Sequence, residues 1–187
     1  AWRSGRIVQA FGVAAKEANS MTVLPLRSML FIPGDSEKKI AKVADCGADA
    51  VIFDLEDSVA IEHKALAREL VAAYLKQTPR GARPLQYWVR VNPFDTGLTT
   101  DDVAAIAPGA PDGIMQPKIN GPDCVRELSD LLHKAEAQSN LELGSILILP
   151  VATETPIAPF RLGEFATARL PRLAGLTWGA EDLSSAM

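Results

Sequence analysis

Cysteine and histidine are scarce in this chain of 187 residues, which has two of each. Cys46 and Cys124 are far apart, and neither lies in a CxxC motif or beside a paired histidine. This spacing argues against a disulfide framework and against a zinc site. We therefore expect two ordinary reduced thiols and, since no signal motif is evident, a cytoplasmic protein.

The chain also lacks an excess of positive charge and a long apolar run. Its 19 Lys and Arg residues are outnumbered by 23 Asp and Glu residues, so it has no general attraction for phosphate backbones or anionic lipids. No apolar run approaches the roughly 20 residues that a transmembrane helix needs. We expect neither nucleic acid nor membrane as a partner. The 48% hydrophobic content is enough for one sizeable core.

Several enzyme motifs are missing as well. Without GxSxG or HExxH, nucleophilic acyl transfer and zinc hydrolysis lack their parts. No GxGxxG motif follows a β-rich run, which argues against a dinucleotide-binding sheet. His63 and His133 fall on predicted helices among charged neighbours, so we expect surface positions rather than a catalytic base.

From residue 27 onward, short β-rich runs alternate with segments of helical periodicity. This alternation is typical of βα units on a parallel sheet. The periodicity predicts helices over 36–46, 60–76 and 122–137. The six predicted strands are SMLFIP (28–33), AVIFDL (50–55), YWVRV (87–91), GIMQPK (113–118), SILILPVA (145–152) and LAGLTW (173–178).

Ionisable residues stand at the ends of five of these runs. The carboxyl ends of the strands of a parallel barrel share one face, and active sites lie there. We therefore expect these side chains to converge. They are Asp54, Glu56 and Asp57 after the second run, Arg90 (with the amide of Asn92) at the third, Lys118 after the fourth, Glu154 after the fifth and Asp182 after the sixth.

Glu154 ends a continuously apolar run, the pattern of a strand buried on both faces. With Asp182, which follows the next run, it offers two carboxylates to a common point. Such a pair suits Mg²⁺, which takes one or two protein carboxylates and completes its shell with water and substrate oxygens. The spacing equally allows a general acid/base pair or two loop acids paired with arginines.

Arg90 lies inside an apolar strand, where a charged side chain is costly unless it is paired. Its guanidinium suits either a substrate carboxylate or an internal ion pair with an acid such as Glu56. The FDLEDSV stretch places three acids within four residues, and these cannot all stay buried and ionised without cations nearby. They either surround a metal or face solvent.

Six blocks of the sequence resemble the citrate lyase β-subunit-like proteins of the HpcH-type aldolase superfamily, which also includes malyl-CoA and citramalyl-CoA lyases. The resemblance runs from about residue 27 to the end of the sequence. The blocks are RSMLFIPG (27–34), DLEDSV (54–59), VRVNP (89–93), PK (117–118), TET (153–155) and WGAEDLS (178–184).

The resemblance implies a Mg²⁺-dependent (β/α)8 TIM barrel that acts on a 3-hydroxy-acyl-CoA thioester of the malyl-, citramalyl- or citryl-CoA type. The implied enzyme is a carbon–carbon lyase that releases an oxo-acid and an acyl-CoA, with thioesterase activity as a variant. Members usually form trimers or larger homo-oligomers such as hexamers. Two alternatives stay open: a citrate lyase β subunit acting on an acyl-carrier-protein thioester, and a non-catalytic or regulatory barrel.

Carried over residue by residue, the resemblance makes Glu154 and Asp182 the metal ligands. It gives Arg90 the role of holding the oxo-acid and places Glu56 beside metal-bound water, which makes these two the catalytic candidates. Arg27 and Lys118 match residues near the mouth of the barrel, so with Arg90 they are the expected substrate-binding residues.

Only six of the eight βα units of a TIM barrel are recognisable in the sequence. We therefore expect residues 23–187 to form a (β/α) barrel domain that is incomplete at its C-terminal end. Residues 1–22 are expected to be an N-terminal extension that takes no part in the fold. No residue clearly supplies a general acid or base.

Overall fold

The computed structural model describes residues 26–186, in which strands and helices alternate. The expected extension over 1–22 lies outside the described residues. The strands are β1 (Met29–Pro33), β2 (Ala50–Asp54), β3 (Gln86–Arg90), β4 (Gly113–Gln116) and β5 (Leu147–Pro150). The α-helices are α1 (Glu37–Ile40), α2 (Lys64–Gln77), α3 (Thr99–Ile106), α4 (Pro122–Gln138), α5 (Ala158–Arg161) and α6 (Ala180–Ala186).

The five strands form one parallel sheet in which each strand pairs with the next along the chain. The register aligns Pro33 with Asp54 and Asp54 with Arg90. The carboxyl ends of β1, β2 and β3 therefore lie side by side. The predicted α/β fold with a parallel sheet is confirmed, and each of its first five strands was predicted to within about two residues.

The sixth predicted strand, 173–178, does not form a regular strand. Two isolated parallel bridges join it to β5 and the residue after it, one between Ile148 and Leu173 and one between Val151 and Thr177. Between these bridges, the outer segment advances by one residue more than the inner segment. The extra residue interrupts the ladder as a β-bulge does, so the prediction of a sixth regular strand was wrong.

Strands β2 to β5 are buried on both faces, which explains why they are largely apolar, whereas the edge strand β1 exposes Leu30 and Phe31. Val51 and Phe53 belong to the large core cluster that the helices cover. Ile52, Trp88 and Met115 point to the opposite face and form a second, smaller cluster. The strands thus carry apolar side chains in both directions, and charged residues are left to their carboxyl ends.

The helix predictions hold for α4 and only partly for 36–46 and α2. The segment 36–46 is α-helical only over Glu37–Ile40 and continues as a separate 3₁₀ turn over Val43–Asp45. In α4 the predicted apolar face is buried, with Val125, Leu128, Leu132 and Ala135 in the core. The segment predicted over 60–76 begins with a 3₁₀ turn, and the regular helix α2 starts at Lys64. Its buried residues are Ala67, Val71, Ala72 and Leu75, whereas Leu66 is exposed.

A buried ion pair joins α4 to the segment beside β5. The Nη2 of Arg172 lies 2.6 Å from Oε2 of Glu136, and both side chains are almost completely buried. Glu136 also accepts hydrogen bonds from the backbone N–H groups of Gly144 and Ile146. The end of α4, the start of β5 and the bulged segment are therefore held together by one carboxylate.

The two histidines lie at the surface, as predicted. His63 is exposed and has Nδ1 3.2 Å from Oδ2 of Asp35, and His133 is exposed on α4. Within residues 26–186, no helix combines the length and the apolarity needed to cross a bilayer.

We expect Gly113→Ala to destabilise the protein, because an added Cβ would lie 2.1 Å from the indole of Trp88. Overpacking of this kind costs about 1 to 3 kcal/mol of unfolding free energy, measurable by urea denaturation. Gly163→Ala is the matched control, since no atom lies within 4 Å of its added Cβ. Equal stability of the two variants would contradict the packing that we describe around Trp88.

Candidate active site

Side chains from the carboxyl ends of the strands surround a cavity of about 540 Å³. Its walls include Phe94 after β3, Lys118 after β4, Glu154 after β5 and Asp182 in α6. Glu56 and Arg90 contact this group through Lys118 and through each other. The structure therefore brings together Glu56, Arg90, Lys118, Glu154 and Asp182, five of the six predicted site residues.

Asp54 and Arg90 form a bidentate ion pair at the ends of β2 and β3. Arg90 Nε and Nη2 donate to the two carboxylate oxygens of Asp54 at 2.8 and 2.7 Å. Burial alone would raise the pKa of Asp54, but the hydrogen bonds and charge of Arg90 outweigh it and hold that pKa below its ordinary value. The ring of Phe31 covers the guanidinium, 4.8 Å from its centre. The orientation of Arg90 is thus set by the protein itself.

Glu56 lies between the two cations of the cluster. Its Oε1 accepts a hydrogen bond from Lys118 Nζ at 2.7 Å, and its Oε2 lies 3.0 Å from Arg90 Nη1. This second contact lacks hydrogen-bond geometry, so Oε2 is a buried oxygen without a hydrogen bond in the described part of the chain. Burial raises the pKa of Glu56 against the opposing effect of both cations. Asp57 is half exposed at the rim.

Glu154 is buried and tied to the end of β4. The backbone N–H of Lys118 donates to its Oε2 at 2.6 Å. Lys118 adopts a left-handed conformation with φ of 50°, which costs of order 1 kcal/mol for a residue with a side chain. Burial, with the negative charges of Glu56 and Asp182, raises the pKa of Glu154 to about 7.

Gly179 allows the chain to pass directly over Glu154. A Cβ at this position would lie 2.5 Å from Cγ of Glu154, so only glycine fits. The Gly179 N–H donates to Oγ1 of Thr153 at 2.8 Å. This close passage delivers Asp182, in the first turn of α6, to the same cavity, where its Oδ1 lies 3.9 Å from Lys118 Nζ. Gly179 was not singled out from the sequence, although its position just before the acids of WGAEDLS is a signal that could have identified it.

The donor set fits a divalent cation that keeps part of its water shell. Within residues 26–186, neither Glu154 Oε1 nor the Asp182 carboxylate accepts a hydrogen bond. No three His, Cys, Asp or Glu side chains of this region converge as an all-protein metal site. Two carboxylates completed by water and substrate oxygens are, however, the arrangement that Mg²⁺ favours.

The charge balance of the cluster also favours a bound divalent cation. Its carboxylates outnumber its cations, and an excess of negative charge in a partly buried site favours a bound cation. The carboxylates are Asp54, Glu56, Asp57, Glu154 and Asp182, and the cations are Lys64, Arg90 and Lys118.

Arg27 is not brought to this cluster. It precedes β1 and binds Asp49, which precedes β2, with Nη2 2.8 Å from Oδ1. Both residues therefore lie at the amino ends of their strands, opposite the end that carries Arg90. The expected position of Arg27 near the mouth was wrong, because its side chain pairs with a carboxylate at its own end of the sheet.

Asn92 and Arg90 both have internal partners. The Asn92 amide donates to the carbonyl of Leu55 and to Asp102, so its position is structural. Of the two possibilities left open for Arg90, the internal ion pair is present, and its main partner is Asp54 rather than Glu56. The sequence offered no signal for this choice, since both acids lie at the carboxyl end of the same strand.

Comparison with known proteins gives consistent matches. The sequence model of the HpcH/HpaI aldolase/citrate lyase family matches residues 27–187. A (3S)-malyl-CoA thioesterase of Cereibacter sphaeroides is 36% identical over 160 residues, which are 86% of this chain and 50% of that protein. The citrate lyase subunit beta of Escherichia coli is 35% identical over 156 residues, which are 83% of this chain and 50% of that protein.

A solved structure matches as well. Protein CitE from Mycobacterium tuberculosis, in complex with magnesium and acetate, is 30% identical with a TM-score of 0.59, over 84% of this chain and 56% of that chain. The chain spans about half the length of the two relatives above.

We expect Asp54→Asn to lower the unfolding free energy by about 3 kcal/mol at pH 7, because it leaves the buried Arg90 without its main partner. The folded-state pKa of Asp54 is lowered, so its stabilising contribution is present above the unfolded pKa of about 3.9. That contribution is lost as the pH falls through the folded pKa. The difference between the two proteins should therefore shrink below about pH 4.

Urea denaturation at pH 7 and pH 3 measures this effect. Asp101→Asn is the control, since Asp101 is exposed and its contact with Arg68 is long, at 3.9 Å. This substitution should lower the unfolding free energy by less than about 1 kcal/mol. A difference for Asp54→Asn that stays constant across this range would contradict the coupling to Arg90.

Proposed function

Because this chain belongs to the HpcH/HpaI aldolase/citrate lyase family, we propose that it is a Mg²⁺-dependent carbon–carbon lyase. Its substrate is a 3-hydroxy-acyl-CoA thioester of the malyl-, citramalyl- or citryl-CoA type, which is cleaved to an oxo-acid and an acyl-CoA. The single observation that carries the proposal is the pairing of Glu154 and Asp182, with unused carboxylate oxygens, beside the cations Lys118 and Arg90.

Glu154 and Asp182 would hold Mg²⁺, and the buried Oε2 of Glu56 is available to accept a hydrogen bond from a bound water. When bound there, the cation supplies Lewis-acid polarisation of the oxo-acid carbonyl. The magnesium complex of CitE, which is 30% identical to this chain, supports this assignment.

Arg90 and Lys118 are the groups that would bind the oxo-acid carboxylate. Asp54 holds one edge of the Arg90 guanidinium, so Nη1 keeps a constant direction toward Glu56 and the rim. The Lys118 ammonium lies among Glu56, Asp57 and Asp182, and the Lys118 side chain is one-third exposed. A pre-set guanidinium and a nearby ammonium would fix the substrate without a further loss of side-chain freedom, which is a positioning contribution to the rate.

We also propose that the described strands are part of a (β/α)8 barrel that assembles as a homo-oligomer, a trimer or a hexamer. The observed order, in which every strand pairs with its neighbour in sequence, is that of a barrel. The cluster at the carboxyl ends corresponds to the face on which barrel active sites lie.

Two variants of this function have specific support. The similarity to a (3S)-malyl-CoA thioesterase favours hydrolysis of the thioester as an additional step. The nearly equal similarity to a citrate lyase subunit beta favours a thioester carried by an acyl carrier protein. The cavity side chains named above suit the acyl portion in all of these cases.

The full-length protein should release an oxo-acid from at least one of malyl-, citramalyl- and citryl-CoA, and only with Mg²⁺ present. Oxo-acid and free thiol are measured in the same reaction, and EDTA provides the metal-free control. Oxo-acid without thiol is the expected result for a lyase, whereas thiol release identifies a thioesterase step. If neither oxo-acid nor thiol is released from any of the three esters, the CoA assignment is contradicted and the carrier-protein thioester is favoured.

We expect Glu154→Gln to weaken Mg²⁺ binding by about 100-fold or more, because it removes one of two carboxylate ligands. Titration calorimetry measures the affinity, and the thioester assay measures the parallel loss of turnover. Glu127→Gln is the matched control, since Glu127 lines the same cavity but is exposed. Unchanged Mg²⁺ affinity in Glu154→Gln would refute the metal site. A folded full-length protein that binds no Mg²⁺ at all would favour the non-catalytic alternative.

A further inference from the structure

Lys64, the first residue of α2, directs its ammonium at backbone carbonyls rather than at a carboxylate. Its Nζ donates to the oxygen of Leu55 at 2.7 Å and to the oxygen of Glu56 at 2.6 Å. Within residues 26–186, it has no carboxylate at ion-pair distance. Two of the three donors of this partly buried ammonium are spent on consecutive carbonyls, and such charge-assisted hydrogen bonds hold the main chain of that segment.

The segment held by Lys64 is also bound from its other sides. The Leu55 oxygen accepts a second hydrogen bond from Asn92 Nδ2 at 2.9 Å, and Asn92 Nδ2 donates in turn to the buried Asp102 at 2.7 Å. The Leu55 N–H donates to the carbonyl of Arg90 at 2.9 Å. Lys64 therefore completes a set of hydrogen bonds that holds the main chain at Leu55 and Glu56 from several sides.

The position of the Glu56 side chain depends on these main-chain hydrogen bonds. Its buried carboxylate must meet Lys118 Nζ at 2.7 Å and Arg90 Nη1 at 3.0 Å at the same time. Without Lys64, the Glu56 carbonyl would keep only the hydrogen bond from the N–H of Val59. A movement of the main chain by a fraction of an ångström would then carry the carboxylate off one of its two partners.

We propose that Lys64 is a positioning residue that clamps the carbonyls of Leu55 and Glu56, so that the Glu56 carboxylate stays between Arg90 and Lys118. The effect of Lys64 on turnover rests on the proposed function, whereas its effect on the loop at Leu55 and Glu56 is independent of that function.

The test compares Lys64→Met with the wild type in two measurements. Hydrogen exchange should be at least about 10-fold faster at the amides of Glu56, Ser58 and Val59, which all bond within this loop. The kcat for the active thioester should fall about 10- to 100-fold, with KM changed by less than about threefold, as is typical for loss of a group that orients a site. Lys64→Arg, which keeps charged donors, should regain most of both.

Lys76→Met is the matched control, since it removes an exposed lysine from the last turn of the same helix and should behave as the wild type. If Lys64→Met does not fold, Lys64→Gln, which keeps one shorter donor, should show the same changes to a smaller extent. Unchanged loop exchange, a kcat loss matched by Lys76→Met, or no rescue by Lys64→Arg would each overturn the proposal. A wild-type protein silent on every thioester would overturn the proposed function instead, and the exchange measurement would still decide the clamp.

Discussion

The ion pair between Asp54 and Arg90 is the interaction on which the rest of the site depends. A buried pair stabilises a protein only when further hydrogen bonds offset its desolvation. Asp54 meets this condition, since it accepts two hydrogen bonds from Arg90 and one each from the N–H groups of Glu56 and Ser58. The pair therefore joins β2 to β3, starts the acidic loop in one conformation and fixes the guanidinium for the remaining acids.

The far side of the site is organised by a second constraint, the close approach of the main chain to Glu154. Lys118 takes a left-handed conformation so that its N–H reaches the Glu154 carboxylate, while its ammonium turns back toward Glu56. Gly179 passes over Glu154 where no side chain fits. The main chain at Lys118 and Gly179 thus places two carboxylates beside one cavity, in surroundings whose negative charge a divalent cation would balance.

Much of the fold was predictable because burial on both faces leaves an apolar run for each of the strands β2 to β5. The face of α4 was predictable for a similar reason, since Val125, Leu128 and Leu132 repeat at helical spacing. The sixth strand was not, because its bulge depends on how 173–178 pairs with β5. Among site residues, Arg27 was misplaced although the strand predicted over 28–33 already put it at the amino end of β1, because the role came from the matching block and not from its place in the sheet.

The sequence by itself determined the order of the buried strands and the ionisable residues at their carboxyl ends, because hydrophobic periodicity is a local property. Only the tertiary structure decided which of these residues are partners. Arg90 is 36 residues from Asp54, and Lys118 is 62 residues from Glu56. The register of a parallel sheet sets such distances, and a shift by one residue would turn every side chain to the other face. The register that aligns Asp54 with Arg90 is the reason that Asp54 binds the guanidinium, and the position of α2 beside the end of β2 brought Lys64 to two carbonyls.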